Sequence, residues 1–324
     1  MSARIRGLRF GVVLLAALSL AACGQSSSPA GTQGSASPQA ANFPPAPDAA
    51  TTGGFDGARA YKHVEQLVAI GPHSAGSEGI LRAQAYIVEQ LKGFGCPVDE
   101  EDFHASTPVG DVAMKNIVAK LPSTDPNIVI YGSHYDTKRM DNFVGADDGG
   151  SSTGVLLEFA RLLCMRKNAV TIWLVFFDGE EAFNSQWVDP DHTYGSKELA
   201  ARLALSGELN RVKAMILVDM VGPTNPIFER ETSSTPWLTD IIWTTAAHLG
   251  YGKIFVNAGS GVEDDHTSFL QRDVPATDII DLGPAVGKYW HTPQDTLDKV
   301  DPRTLAITGH VLVGSLPELE KRVR

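Results

Sequence analysis

The 324-residue chain has only three cysteines and no CxxC pair, and its 27 basic residues are outnumbered by 38 acidic ones. Three thiols are too few for a disulfide scaffold, and without paired cysteines a structural zinc site lacks its usual ligands. The net charge of -11 removes the basic face that a phosphate-binding nucleic-acid protein needs. The uncharged apolar run from Phe10 to Ala22 is shorter than the about 20 residues of a membrane-spanning helix. What is present is ordinary for a folded chain: 43% hydrophobic and 20% charged residues.

The two ends differ. Arg4, Arg6 and Arg9 precede the apolar run, so residues 1–22 read as a targeting signal. The run ends in Leu20-Ala21-Ala22-Cys23, which resembles the lipobox of bacterial lipoproteins; the resemblance implies cleavage before Cys23 and a lipid on its sulfur. Residues 23–54 then hold mainly Ser, Pro, Gly, Ala, Gln and Thr, with Asp48 the one charge and Phe43 the one large apolar side chain. Such a segment buries too little surface to offset its ordering entropy and reads as a tether. The expected location is therefore the cell envelope, with the domain outside the cytoplasm and the membrane met through the lipid alone. Residues 55–324 carry no second linker and no repeat, which makes one domain the economical reading. Cys96 and Cys164 fall inside it; whether they pair depends on how their Cβ atoms lie.

Within that domain, apolar runs of strand length end in metal-type residues. Asn127 to Tyr131 leads into Gly132-Ser133-His134-Tyr135-Asp136, Val170 to Phe177 into Asp178-Gly179-Glu180-Glu181, and Ala214 to Val218 into Asp219. Continuous β-branched and aromatic runs mark strands buried on both faces. Amphipathic stretches lie between them, at Gly154 to Arg166 and Ser196 to Leu205. The alternation predicts an α/β fold, a three-layer α/β/α domain with a central, mostly parallel, twisted mixed sheet. Ligands of such folds bind beyond the carboxyl ends of the strands, where each run delivers His, Asp or Glu.

Asp148, at the opening of a helix, and His291, in a late loop, complete a set with Glu181. Three mixed nitrogen and oxygen ligands, with a position left for water or substrate, are the pattern of a catalytic zinc. In the pair Glu180-Glu181, neighbouring side chains diverge, so one can hold the ion while the other faces substrate as a base.

Beyond these residues, the motifs HYDTK (134–138), GADD (145–148), FFDGEEAF (176–183), YGS (194–196), VDMVG (218–222) and WHT (290–292) resemble the zinc exopeptidase superfamily. FFDGEEAF with Trp187, NPIF (225–228), EDDH (263–266) and WHT are more narrowly similar to animal-type glutaminyl cyclases. The resemblance implies one zinc on Asp148, Glu181 and His291, with Glu180 as proton shuttle, Asp219 as its hydrogen-bonded partner and Asp264 extending that network. It also implies Trp290 as a wall of the pocket and Trp187 at its mouth. The implied reaction closes an N-terminal glutamine of a peptide onto its own α-amine, releasing ammonia. Like-charge interaction with Asp219 is expected to keep the proton affinity of Glu180 high.

Two departures from the family stand out. Asp278 occupies a strand position where the family usually has histidine, and the 283–289 loop is slightly longer and lacks the aromatic that the animal enzymes hold there. A rival within the superfamily is a di-zinc aminopeptidase, whose second ion would use the positions of His134 and Asp219, with Asp148 bridging. A non-enzymatic peptide- or zinc-binding lipoprotein would need no base at Glu180. His63, His73, His104, His192, His248 and His310 are assigned no role.

Overall fold

The computed structural model describes residues 45–284 and 286–324; the signal and lipobox assignments, and the tether as far as residue 44, lie outside them. Helices α1 (Gly57–Ile70) and α2 (Glu78–Gly93) come first, capped by Asp56 and Ser77. A long hairpin follows, β1 (Val98–Thr107) and β2 (Gly110–Leu121), and then β3 (Ile128–His134). The chain continues through α3 (Gly150–Leu163), β4 (Thr171–Phe177), α4 (Tyr194–Ser206) and β5 (Val212–Asp219). It ends with β6 (Phe228–Glu231), α5 (Pro236–His248), β7 (Phe255–Ser260), α6 (Asp265–Leu270), β8 (Ala276–Ile280) and α7 (Pro302–Val323).

The six-stranded sheet has the order β1-β2-β4-β3-β5-β8, with β6 and β7 forming a separate parallel pair. β4, β3, β5 and β8 run parallel, while β1 and β2 are antiparallel additions at one edge. The three apolar runs noted in the sequence are thus the central strands, and every residue of β3 and β4 is buried.

Strand pleating sorts their side chains between two apolar layers. Val129, Tyr131, Ile172, Leu174, Ile216 and Val218 join one cluster with residues of α1, α2, α3, α5 and α7. Ile128, Ile130, Trp173, Val175, Met215 and Leu217 join another with Leu199, Leu203 and Phe269 of α4 and α6. This alternation is the three-layer arrangement itself. Cys96 and Cys164 form a disulfide with Cα atoms 5.2 Å apart, tying the end of α3 to the chain that follows α2. Residues 49–54, placed in the tether by composition, are built onto the domain. Ala49–Thr51 is a helical turn, Thr52 is buried and donates to Phe55 O, and Gly54 O accepts from Arg161. No helix among the described residues is long and apolar enough to cross a membrane.

Candidate active site

Four parallel strands present their carboxyl ends on one rim. His134 is the last residue of β3, Asp178 to Glu181 follow β4, and Asp219 ends β5. Asp148 lies two residues before α3 and Asp264 caps α6. All of these side chains are buried, and burying carboxylates without cations is costly. Their placement is therefore held by surrounding donors.

Asp295 grips the loop before α3, its two oxygens accepting from the backbone N–H groups of Asp147 and Asp148 at 2.9 and 3.0 Å. Asp136 accepts from the N–H groups of Glu180 and Glu181 at 3.0 and 3.3 Å, which fixes the glutamate pair. Gly149 adopts φ +82°, and a Cβ there would come 2.9 Å from His134 Cε1, so the loop requires glycine. Three non-glycine residues also take positive φ at or beside the site: Thr193, Met220 and His291. Such backbone persists where neighbours over-determine it, commonly at functional sites.

Asp147 and Asp148 behave differently despite adjacency. Asp147 accepts from Gly222 N and Tyr289 Oη, whereas Asp148 Oδ2 and both Glu181 carboxylate oxygens accept no hydrogen bond among the described residues. What faces Asp148 Oδ2 and Glu181 Oε1 is His291 Nε2, at 3.4 and 3.2 Å. Asp148, Glu181 and His291 each offer a ligand atom within 4.8 Å of the other two. Ligands about 2.0–2.2 Å from a tetrahedral zinc lie about 3.4 Å from one another, so the spacing and the donor set both fit such an ion. His134, Asp148 and Asp219 form a second cluster sharing Asp148. There His134 Nε2 lies 3.1 Å from Asp219 Oδ1 and 3.3 Å from Asp148 Oδ1.

The electrostatics follow from this crowding. Burial would lower the proton affinity of His134, but Asp219 and Glu180 override it and hold it well above its ordinary value. Burial likewise opposes, and Asp148 and Glu181 reverse, the shift of His291, pushed up to about 10. Asp148 is driven below its usual range by His134 and His291 in spite of its burial. The field at these atoms is negative and favours positive charge there.

Glu180 is raised well above an ordinary carboxyl, first by burial and then, against the pull of His134, by Asp264, Glu181 and Asp265. The like-charge neighbour is thus Asp264 rather than the expected Asp219. The carboxyl of Asp219 is turned instead to His134 and to its own neighbour's amide, Met220 N. Asp264 is pushed up to about 6, by burial and by Asp219. Asp278 is buried on β8 and raised well above its usual range by burial and by Asp264, and both its carboxyl oxygens lack a hydrogen-bond partner among the described residues.

These groups open into a cavity of about 360 Å³. Asp148, Glu180, Asp219, Asp264 and His291 line its polar end, and Met220, Val262, Ile280, Leu282 and Trp290 supply an apolar wall. Trp290 is 47% exposed at the rim. Trp187 also lines the cavity, its ring stacked 4.3 Å from that of His192. Of the side chains singled out as ligand, base or pocket wall, Asp148, Glu180, Trp187, Asp219, Asp264, Trp290 and His291 border this one cavity, and Glu181 and His134 lie behind Asp148 and His291 rather than on its wall. Sequence reasoning assigned nothing to Asp136, Asp295 or Lys138. Lys138 is buried, donates to Ala182 O at 2.8 Å and lies 3.2 Å from Glu181 Oε2. Asp136 and Lys138 belong to the HYDTK motif, while Asp295 carries no local signal.

Residues 116–315 match the model of peptidase family M28. The chain belongs to that family. It is 30% identical over 262 residues to the glutaminyl-peptide cyclotransferase of Drosophila melanogaster, covering 72% of this chain and 73% of the relative. A glutaminyl cyclase structure from an Acidobacteriales bacterium superposes with TM-score 0.78 at 35% identity, over 87% of this chain and 98% of that one. A leucine aminopeptidase precursor from Bacteroides thetaiotaomicron also superposes, with TM-score 0.73 at 25% identity, over 85% of this chain and 98% of that one.

Proposed function

We propose that this M28 domain is a glutaminyl-peptide cyclotransferase, converting N-terminal glutamine of peptides to pyroglutamate with release of ammonia. The observation that carries the reading is a raised, buried carboxyl, Glu180, set in a small half-apolar cavity beside a three-ligand cluster. The names and identities of the cyclotransferase relatives support it.

Asp148, Glu181 and His291 would hold one zinc ion, which when bound supplies Lewis acidity toward the side-chain carbonyl of the substrate glutamine. The cavity holds one compact side chain, and walls such as Ile280 and Trp290 press glutamine into a bent shape. Its α-amine then lies against its own amide carbon, an orientation effect large enough to dominate the rate. As the new C–N bond forms, Glu180 accepts a proton from the amine nitrogen. When the amide C–N bond breaks, Glu180 returns a proton to the leaving nitrogen, which departs as ammonia. A carboxyl with raised proton affinity suits both transfers, and Asp264 beside it keeps that affinity high. Asp219 holds His134, which stabilises the ionised Glu180 from 3.8 Å.

The His134–Asp148–Asp219 cluster gives a specific reason to keep a di-zinc aminopeptidase as the second reading. One experiment separates them. The purified chain is given a Gln-peptide and a leucyl anilide, with zinc counted in the same sample. Ammonia release matched by loss of the free α-amine, at about one zinc per chain, is expected. Anilide cleavage with two zinc ions and no cyclisation would assign the site to peptidase chemistry. We further propose an envelope location outside the cytoplasm, through the signal and lipidated Cys23. The Cys96–Cys164 disulfide supports an oxidising compartment.

A further inference from the structure

A third group of metal-type side chains lies apart from the two clusters just described. Asp189 and His192 belong to the loop between β4 and α4, and Glu263 to the loop before α6. The three offer ligand atoms within 4.8 Å of one another. Exposed carboxylates meet by chance, and Asp189 and Glu263 are both exposed. The informative member is His192. It is fully buried, yet its Nε2 makes no hydrogen bond among the described residues and faces Asp189 Oδ1 from 3.4 Å. Its other nitrogen, Nδ1, pairs with Thr193 Oγ1 at 3.1 Å. A Nδ1–H donated to that hydroxyl leaves the lone pair on Nε2, the outer-partner arrangement that orients histidine ligands. Burial and the charge of Lys197 push His192 down to about 4, so the ring is neutral and able to ligate at physiological pH.

We propose that Asp189, His192 and Glu263 form a divalent-cation site of the zinc type at the mouth of the cavity, binding an ion between two loops. One imidazole with two carboxylates is a donor set suited to zinc and similar first-row ions. The site's position gives it consequence. Glu263 and Trp187 both line the catalytic cavity, and Trp187 stacks on His192. An ion here links the Trp187 loop to the Glu263 loop and fixes the aromatic face of the entrance. Lys197 is the competitor: its Nζ donates to Asp189 Oδ1 at 2.6 Å and to His192 O at 3.0 Å, supplying positive charge where the ion would.

Because Asp148 is shared by both other clusters, Asp148→Asn impairs them together and leaves this site intact. Calorimetric titration of that variant with zinc chloride is expected to report one site. Adding Glu263→Gln should weaken it by more than the about 10-fold that loss of an outer partner costs a metal site. His192→Gln should abolish it and Lys197→Met should tighten it. Cobalt added to the same protein should quench fluorescence that Trp187→Phe removes. If Asp148→Asn does not fold, zinc bound beyond the catalytic complement is counted on the intact enzyme and on Glu263→Gln. A titration or count unchanged by Glu263→Gln, or no zinc bound outside the two catalytic clusters, overturns the proposal.

Discussion

Aspartate and glutamate serve opposite ends of this sheet in opposite ways. On β1, at the antiparallel edge, Asp99, Glu100, Glu101 and Asp102 lie near the surface and pair with Lys92, Lys115, Lys120 and Arg202. At the parallel rim, Asp148, Glu180, Glu181, Asp219 and Asp264 are buried within reach of one another. Lys138, 3.2 Å from Glu181, and the histidines His134 and His291 are basic groups beside them. The edge charges keep an exposed strand from pairing with other chains. The rim charges destabilise the apo-protein unless an ion and a proton are present, and that is what equips them for chemistry. Residue type does not distinguish the two regions; burial and the lack of partners do.

Breaking the rim should have the largest effect. Glu180→Gln, nearly the same in shape, should lower turnover by about 100- to 10,000-fold while zinc content stays at the wild-type level; steady-state kinetics with metal analysis checks both. Asp295→Asn should come next, since it frees the loop that carries Asp148. Zinc affinity should fall by about 10- to 100-fold in competition with a chelator. The ion pair between exposed Arg166 and buried Glu320, where Arg166 Nη2 lies 2.8 Å from Glu320 Oε2, is intermediate. Glu320→Gln should cost about 2 kcal/mol in denaturant unfolding.

That pair also has a signed pH dependence. Burial raises the Glu320 carboxyl, but Arg166 overrides it and holds it below its ordinary value of about 4.5. Its stabilisation is therefore present above that value and lost as pH falls through the lower folded one. The acid arm of the unfolding curve should flatten in the variant. The smallest effect belongs to the edge: Glu100→Gln, which removes the 2.7 Å contact with Lys115, should shift stability by less than about 1 kcal/mol, and less still in high salt.

Much of the rim was legible because its strands are buried on both faces. An unbroken apolar run such as 170–177 is too short to span a membrane and too apolar for a loop, and the residues after it must sit at the carboxyl edge. Glu181 stood out at the end of an apolar run, Asp148 through the family pattern of the glycine turn around it, and His291 in its late loop beside Trp290. The edge hairpin escaped notice because Val98-Asp99-Glu100-Glu101-Asp102 carries charge on both faces, which conceals the period of two that marks a strand. Helix α3 begins at Gly150, earlier than its amphipathic pattern, because its first turn is buried by the site loops. The partner that raises Glu180 was misread for a similar reason. Asp219 and Asp264 both lie near it at the rim, and only side-chain direction reveals that Asp219 is engaged by His134. Asp295 is 147 residues from the amide of Asp148 that it fixes, a relation with no trace in local sequence.

All of the chemistry above depends on Asp148, Glu181 and His291 sharing one zinc ion with Glu180 beside it. Anomalous diffraction at the zinc edge, on crystals of the purified chain, locates the ion without reference to activity. The expected result is a strong peak bonded to Asp148, Glu181 and His291, with the Glu180 carboxyl facing the cavity next to it. An equally strong pair of peaks, the second on His134 and Asp219, or no zinc on His291 at all, would contradict it.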